Sequence, residues 1–276
     1  MFEAGKILLG RFPDPQLESR LLLCKSASIT AEVFFAEKRR MLTQEQEHRF
    51  FRLIAQRKSG IPLAYLTNVK EFWSIPLEVY PGVLIPRPET ELIVEKVVEL
   101  SSGKAEVIAD IGTGSGNIAI SLARELPEAD ILATDISRNA VRLAKLNTTR
   151  MNIPNIKVVQ GDLFLPLKEL KQKKCDFIVS NPPYVAKKEW GKLPSEIRRH
   201  EPKKALVAGE TGLEFIRELV KGAPKFLRPG GYLVFEVGYG QRRRVIQMFG
   251  REWSRVRSYK DLSGIPRVVV ARKRIR

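Results

Sequence analysis

Two rhythms of apolar and polar residues divide the chain. Up to about residue 70 the apolar positions recur at helical spacing: Asp14-Pro15 can start a helix with Leu17, Leu21 and Cys24 on one face. Thr43 followed by Gln46 makes a capping box ahead of Phe50, Phe51 and Ile54, so a second helix is expected there. From Phe72 to Ile85 apolar residues alternate around Pro76, Pro81 and Gly82, which favours extended or hairpin-like structure. From about residue 105 short apolar runs take over, at Val107 to Ala109, Ile131 to Thr134, Val158 to Val159, Phe177 to Val179 and Tyr232 to Val237. Helical segments fit between them at Ile118 to Leu126, Asn139 to Met151 and Leu213 to Phe226, the last with Lys225 and Arg228 ahead of Pro229-Gly230 as its stop. This alternation predicts an α/β fold with a parallel sheet covered on both faces, completed by strands near Val256 to Tyr259 and Arg267 to Arg272. The expected division is a helical domain at 1–71, an extended or hairpin linker at 72–88 and a sheet domain at 89–276.

Composition narrows the class. With 276 residues, 43% hydrophobic and 29% charged, the chain can bury a core, which excludes disordered, collagen-like and disulfide-stapled proteins. No run approaches the roughly 18 apolar residues of a membrane span, and Met1 to Arg11 lacks the apolar core of a secretory signal, so a cytoplasmic enzyme is expected. Cys24 and Cys175 stand far apart and read as buried reduced thiols; His48 and His200 have no ligand-spaced companion, so no metal site is expected. The net charge is +17, and residues 241–276 hold 12 basic and two acidic residues. Such a field suits nucleic acid, a nucleoprotein particle or an acidic protein, and equally a merely soluble basic surface.

The chemistry sits at strand ends. Asp110-Ile111-Gly112-Thr113-Gly114-Ser115-Gly116-Asn117 follows the first strand and opens a helix, the place where an open α/β sheet binds its ligand. Glycines there permit a tight turn and close approach to a cofactor. Asp135 closes the next strand, where a carboxylate can accept from both ribose hydroxyls of a nucleoside cofactor or cap the helix starting near Ser137; the spacing suits NAD as well as S-adenosylmethionine. Asp162, in Gly161-Asp162-Leu163-Phe164, can receive an adenine amino group or serve as an ordinary turn carboxylate. Asn181-Pro182-Pro183-Tyr184 directly follows the strand at Asp176 to Ser180. Its prolines fix the backbone and remove two amide donors, leaving the Asn181 side-chain oxygen and the Pro182 carbonyl to grip both hydrogens of a planar NH2 group, with Tyr184 packed on its π face. The target is an amide or an exocyclic amine.

These motifs together resemble the class I S-adenosylmethionine-dependent methyltransferases that act on planar nitrogen. Ile85-Pro86-Arg87-Pro88-Glu89-Thr90-Glu91, Glu201-Pro202 with Ala205-Leu206, and Lys260-Asp261-Leu262-Ser263-Gly264 before Arg267-Val268 narrow the resemblance to the peptide chain release factor glutamine methyltransferases, over nearly the whole chain. Gly264-Ile265-Pro266-Arg267 departs from the family, which more often has a polar residue at position 265 or 266. The resemblance implies a Rossmann-like, mostly parallel seven-stranded sheet preceded by a small helical domain. It implies further that Gly112, Thr113, Gly114, Ser115, Gly116, Asp135, Asp162, Leu163 and Asn181 hold S-adenosylmethionine. By the same resemblance Asn181 to Tyr184 hold the glutamine of a release factor's Gly-Gly-Gln loop, with Asn181, Pro182 and Tyr184 in the catalytic role. No general base stands out. An adenine-N6 methyltransferase shares fold, cofactor and Asn-Pro-Pro-Tyr, and is the alternative; a dehydrogenase fits less well, because Gly112-x-Gly114-x-Gly116 departs from Gly-x-Gly-x-x-Gly.

Overall fold

The computed structural model describes residues 1–37, 40–170 and 174–275, and the chain falls into two compact units. The first comprises Met1–Val69 and Pro194–His200. It holds α1 (Phe2–Leu8), α2 (Pro15–Ala27), α3 (Ala31–Ala36), α4 (Gln44–Lys58) and α5 (Leu63–Thr67). Both expected helix starts are present: the Leu17 N–H donates to Asp14 Oδ1 at 2.9 Å, and Thr43 and Gln46 bond reciprocally in a capping box. The buried stripe of α2 differs from the expected one. Ser19, Leu22, Leu23 and Ser26 face the core, while Leu17 is exposed and Leu21 and Cys24 are half-buried. Two serines at core positions hid the period; their hydroxyls donate to the Phe2 and Leu23 carbonyls at 2.9 and 2.8 Å, which lets them be buried. Arg57 of α4 is also buried, paired with buried Glu18 at 2.7 Å and with Glu196 at 2.9 Å.

The second unit, Lys70–Leu193 with Glu201–Arg276, contains the sheet. β1 (Val69–Phe72) and β2 (Ile75–Glu78) form the expected hairpin, turned through Trp73 and Ser74 at φ 52° and 56°. A short 3-10 turn at Pro88–Thr90 leads into α6 (Glu91–Leu100), a helix the apolar pattern had not been read to contain. There follow β3 (Val107–Ile111), α7 (Asn117–Glu125), β4 (Asp130–Asp135), α8 (Arg138–Arg150), β5 (Ile156–Gln160) and β6 (Cys175–Ser180). The short helix α9 (Ser195–His200) belongs to the first unit; α10 (Glu214–Gly222), β7 (Leu227–Glu236), α11 (Arg242–Ile246), β8 (Trp253–Lys260) and β9 (Pro266–Lys273) complete the second.

The seven strands run in the order β5-β4-β3-β6-β7-β9-β8, parallel except that β9 lies antiparallel between β7 and β8. The strands read as unbroken apolar runs because both faces are covered: Ile108, Phe177 and Val179 enter one core cluster, and Ala109, Ile111 and Ile178 the other. One expected boundary is corrected. α10 ends at Gly222, a 3-10 turn at Ala223–Lys225 follows, and Pro229-Gly230 lies inside β7. Pro224, which has no N–H to continue a helix, stops it earlier; Pro229-Gly230 instead accompanies the irregular register between β6 and β7.

Candidate active site

The chain leaves β3 toward β4 and β5 on one side and later returns through β6 on the other, so the ends of β3 and β6 form the switch point of the sheet. The loop after β3 carries the glycines, and the loop after β6 carries Asn181. Ser180 Oγ donates to the Ile111 carbonyl at 2.6 Å and ties the two strand ends together. A cavity of about 920 Å³ opens there. Of the residues expected from sequence to form the site, all but Gly116, Pro182 and Tyr184 line it.

The glycine loop is held from behind. The Gly112 and Thr113 N–H groups donate to the Thr134 carbonyl at 2.8 and 2.9 Å, which leaves the opposite side of the turn to the cavity. A Cβ at Gly112 or Gly114, at φ 76° and 58°, would meet no atom within 4 Å, so this side of the loop is open space. Gly116 is different: its Cβ would come within 3.2 Å of Ile120 Cδ1 and 3.3 Å of Ala144 Cβ, so its missing side chain permits α7 and α8 to pack closely. Asp135 accepts from the Gly114 N–H at 3.0 Å and the Ser137 N–H at 2.8 Å, and so joins the loop to the start of α8. Burial pushes its carboxyl up, against the pull of those two donors. Asp110 is fully buried beneath the loop; burial pushes it up to about 7 although the Thr113 hydroxyl donates to its Oδ2 at 2.6 Å. Its Oδ1 makes no hydrogen bond of good geometry among the described residues.

The Asn181 loop is held by side chains. Asn181 Nδ2 donates to Thr90 Oγ1 at 2.9 Å, and Thr90 Oγ1 donates to Glu236 Oε2 at 2.6 Å. Tyr184 Oη donates to Glu236 Oε1 at 3.0 Å, and Gln241 Nε2 donates to the Tyr184 carbonyl at 2.8 Å. Tyr184 is thus turned to Glu236 rather than to the cavity. Burial pushes Glu236 up, while the Thr90 and Tyr184 hydroxyls and the Arg267 charge favour its ionised form. Arg267 is itself held by Asp261 at 3.0 Å, which gives the Lys260 to Gly264 motif a physical role. Arg87 pairs with buried Glu201 at 2.6 Å, and Glu201 also accepts from the Ile85 N–H at 3.3 Å, so Glu201 fixes the Ile85 to Glu91 segment.

From sequence, Thr90 and Glu201 enter only as parts of motifs, and Glu236 belongs to none. A signal was present: a glutamate ending the apolar run Val234-Phe235 must find partners once buried. Cys24, expected buried, is half-buried, whereas Cys175 is buried. Among the described residues no group of three or more His, Cys, Asp or Glu side chains is arranged to hold a metal, and no helix is long and apolar enough to cross a membrane.

Comparison with known proteins bears on the family and the fold. Residues 3–67 match the PrmC N-terminal domain and residues 88–199 the methyltransferase small domain. A release factor glutamine methyltransferase from Koribacter versatilis is 38% identical over 262 residues, 95% of this chain and 92% of its own. One from Moorella thermoacetica is 40% identical over 242 residues, 87% of this chain and 84% of its own. The crystal structure of a methyltransferase from Pyrococcus furiosus shares the fold, with a TM-score of 0.52 at 21% identity over 82% of this chain and 98% of that one. With a switch-point cavity between a glycine loop and an Asn-Pro-Pro-Tyr loop, and with relatives 38–40% identical over 87–95% of its length, the chain belongs to the release factor glutamine methyltransferase family.

Proposed function

We propose that the protein transfers a methyl group from S-adenosylmethionine to the side-chain amide nitrogen (N5) of the glutamine in the Gly-Gly-Gln motif of peptide chain release factors. The observation that carries this reading is the Asn181 amide: its nitrogen is engaged by Thr90, and among the described residues its Oδ1 is left unbonded in a residue that lines the cavity. An unpaired acceptor there suits an NH2 group.

The cofactor fits the other half of the cavity. Gly112 and Gly114 leave open space beside the loop, Asp135 supplies a carboxylate for ribose hydroxyls, and Asp162 with Leu163 borders the place for the base. When bound, S-adenosylmethionine supplies an electrophilic methyl carbon on a sulfonium sulfur. The protein must then make a poor nucleophile react, because the amide lone pair is delocalised into its carbonyl. Asn181 Oδ1 and the carbonyl of Pro182, which does not line the cavity itself but stands between the lining residues Asn181 and Pro183, accept the two amide hydrogens and fix the plane and position of the nitrogen. As positive charge develops on that nitrogen these acceptors bind more strongly, so they stabilise the transition state beyond the ground state. Tyr184 supports the loop through Glu236 and takes no place against the substrate's π face.

The helical unit supplies recognition surface for the intact release factor, and the protein acts in the cytoplasm. The basic residues of 241–276 offer electrostatic contact to an acidic partner or RNA. Incubation with S-adenosylmethionine, a release factor and RNA or DNA, followed by mass spectrometry, tests the assignment. The expected result is a gain of about 14 mass units, one methyl group, on the Gly-Gly-Gln glutamine with no N6-methyladenine, the methyl moving by direct displacement from sulfur. Methylated adenine with unmodified glutamine would overturn it.

A further inference from the structure

An asparagine amide can present either of two ends to a ligand. Turned one way Asn181 offers the cavity an acceptor, and turned by 180° it offers two donors. The surroundings must choose between them. Thr90 touches the amide on one side and the carboxylate of Glu236, which is 1% exposed, on the other. A threonine hydroxyl has a single hydrogen to give. In the structure that hydrogen goes to Glu236 Oε2 at 2.6 Å, the length of a charge-assisted O–H···O⁻ bond. What Thr90 has left for Asn181 is lone pairs. The amide nitrogen therefore faces Thr90 at 2.9 Å, and the carbonyl oxygen is turned away from it. The flipped amide would set two acceptors against each other at that distance. Tyr184 strengthens the arrangement by donating to the second carboxylate oxygen at 3.0 Å, so both hydroxyls point into Glu236.

We propose that Thr90 and Glu236 are positioning residues that fix the polarity of Asn181, so that the loop presents an acceptor and admits an amide NH2 in preference to a carboxylate. The proposal rests on the reading of Asn181 as the amide clamp. It assigns a task to two residues that lie 146 positions apart in the chain and that none of the motifs joins. It also makes the orientation of Asn181 independent of substrate, so the clamp is preorganised before the release factor arrives.

The test uses the full-length protein, methyl-labelled S-adenosylmethionine and an intact release factor, in its native form and with the motif glutamine replaced by glutamate. Thr90→Val and Thr90→Ala are measured in parallel, so that instability of one leaves the other. Each is expected to lower kcat about tenfold or more while the cofactor Kd stays within about twofold. Thr90→Ser, which keeps the hydroxyl, restores kcat to within about threefold of the parent. In an Asn181→Ala background the Thr90 replacements change kcat by less than about twofold, because the group they orient is gone. The glutamate form of the release factor, a poor inhibitor of the parent, competes better with the Thr90→Val protein. Parental kcat in both Thr90 replacements, failure of Thr90→Ser to restore it, or a loss undiminished in the Asn181→Ala background would each overturn the proposal. Were Asn181→Ala itself to turn over normally, the clamp reading would fall and this inference with it; silence of the Thr90 variants alone would remove only the inference.

Discussion

The loop after β3 and the loop after β6 leave adjacent strands at the same end of the sheet, yet they are built from opposite materials. The first is glycine-rich, with two carboxylates close to it, Asp110 beneath and Asp135 beside, both bonded to the loop itself. The second is stiffened by two prolines, and its carboxylate, Glu236, stands one hydroxyl away behind Thr90 and Tyr184. The difference follows the charges each must meet. A cofactor that carries positive charge is served by nearby carboxyl groups and by bare backbone. A neutral amide that gains charge only while reacting is served by neutral acceptors held rigid, with the anion kept behind them to set their direction.

Three replacements sharpen that contrast. The largest effect is expected from Asp110→Asn. Asp110 is raised from its usual 3.8 to about 7 by burial, so the folded protein holds this proton more tightly than the unfolded chain and Asp110 costs stability increasingly as pH rises from about 4 to about 7. Without cofactor, Asp110→Asn should match the parent near pH 4 and exceed its stability above pH 7 by about 4 kcal/mol, measured by urea unfolding. A difference that shrinks as pH rises would contradict this origin. Asp135→Ala comes next, weakening S-adenosylmethionine binding by about 1.5 to 3 kcal/mol in calorimetry through loss of a charge-assisted hydrogen bond. Unchanged affinity in the folded variant would remove Asp135 from the cofactor site. Tyr184→Phe should be the mildest: losing one of two hydroxyls on Glu236 lowers turnover by about 1 kcal/mol equivalent and leaves cofactor binding unaffected. A loss as deep as that from removing Asn181 would place the Tyr184 ring against the substrate after all.

How far the sequence disclosed this molecule depended on the range of the interactions. The strands were legible because burial on both faces leaves compact apolar runs such as Phe177 to Val179. The glycine loop and Asn181 to Tyr184 were legible because their chemistry is local to a few successive residues. The stripe of α2 was misread because Ser19 and Ser26 satisfy their hydroxyls on backbone carbonyls and pass as core residues. The stop at Pro229-Gly230 was misplaced because those residues are equally at home in an irregular strand. Thr90 and Glu236 were not legible as a pair, since they meet across 146 positions and only the folded sheet shows that they do.

The division of labour between the two loops is tested most directly by one protein measured twice. Asn181→Ala, titrated with S-adenosylmethionine by calorimetry and then assayed for methyl transfer to a release factor at saturating cofactor, should lose at least about a hundredfold in turnover while its cofactor affinity changes far less. A turnover near that of the parent, or an affinity that falls in step with the rate, would contradict the account.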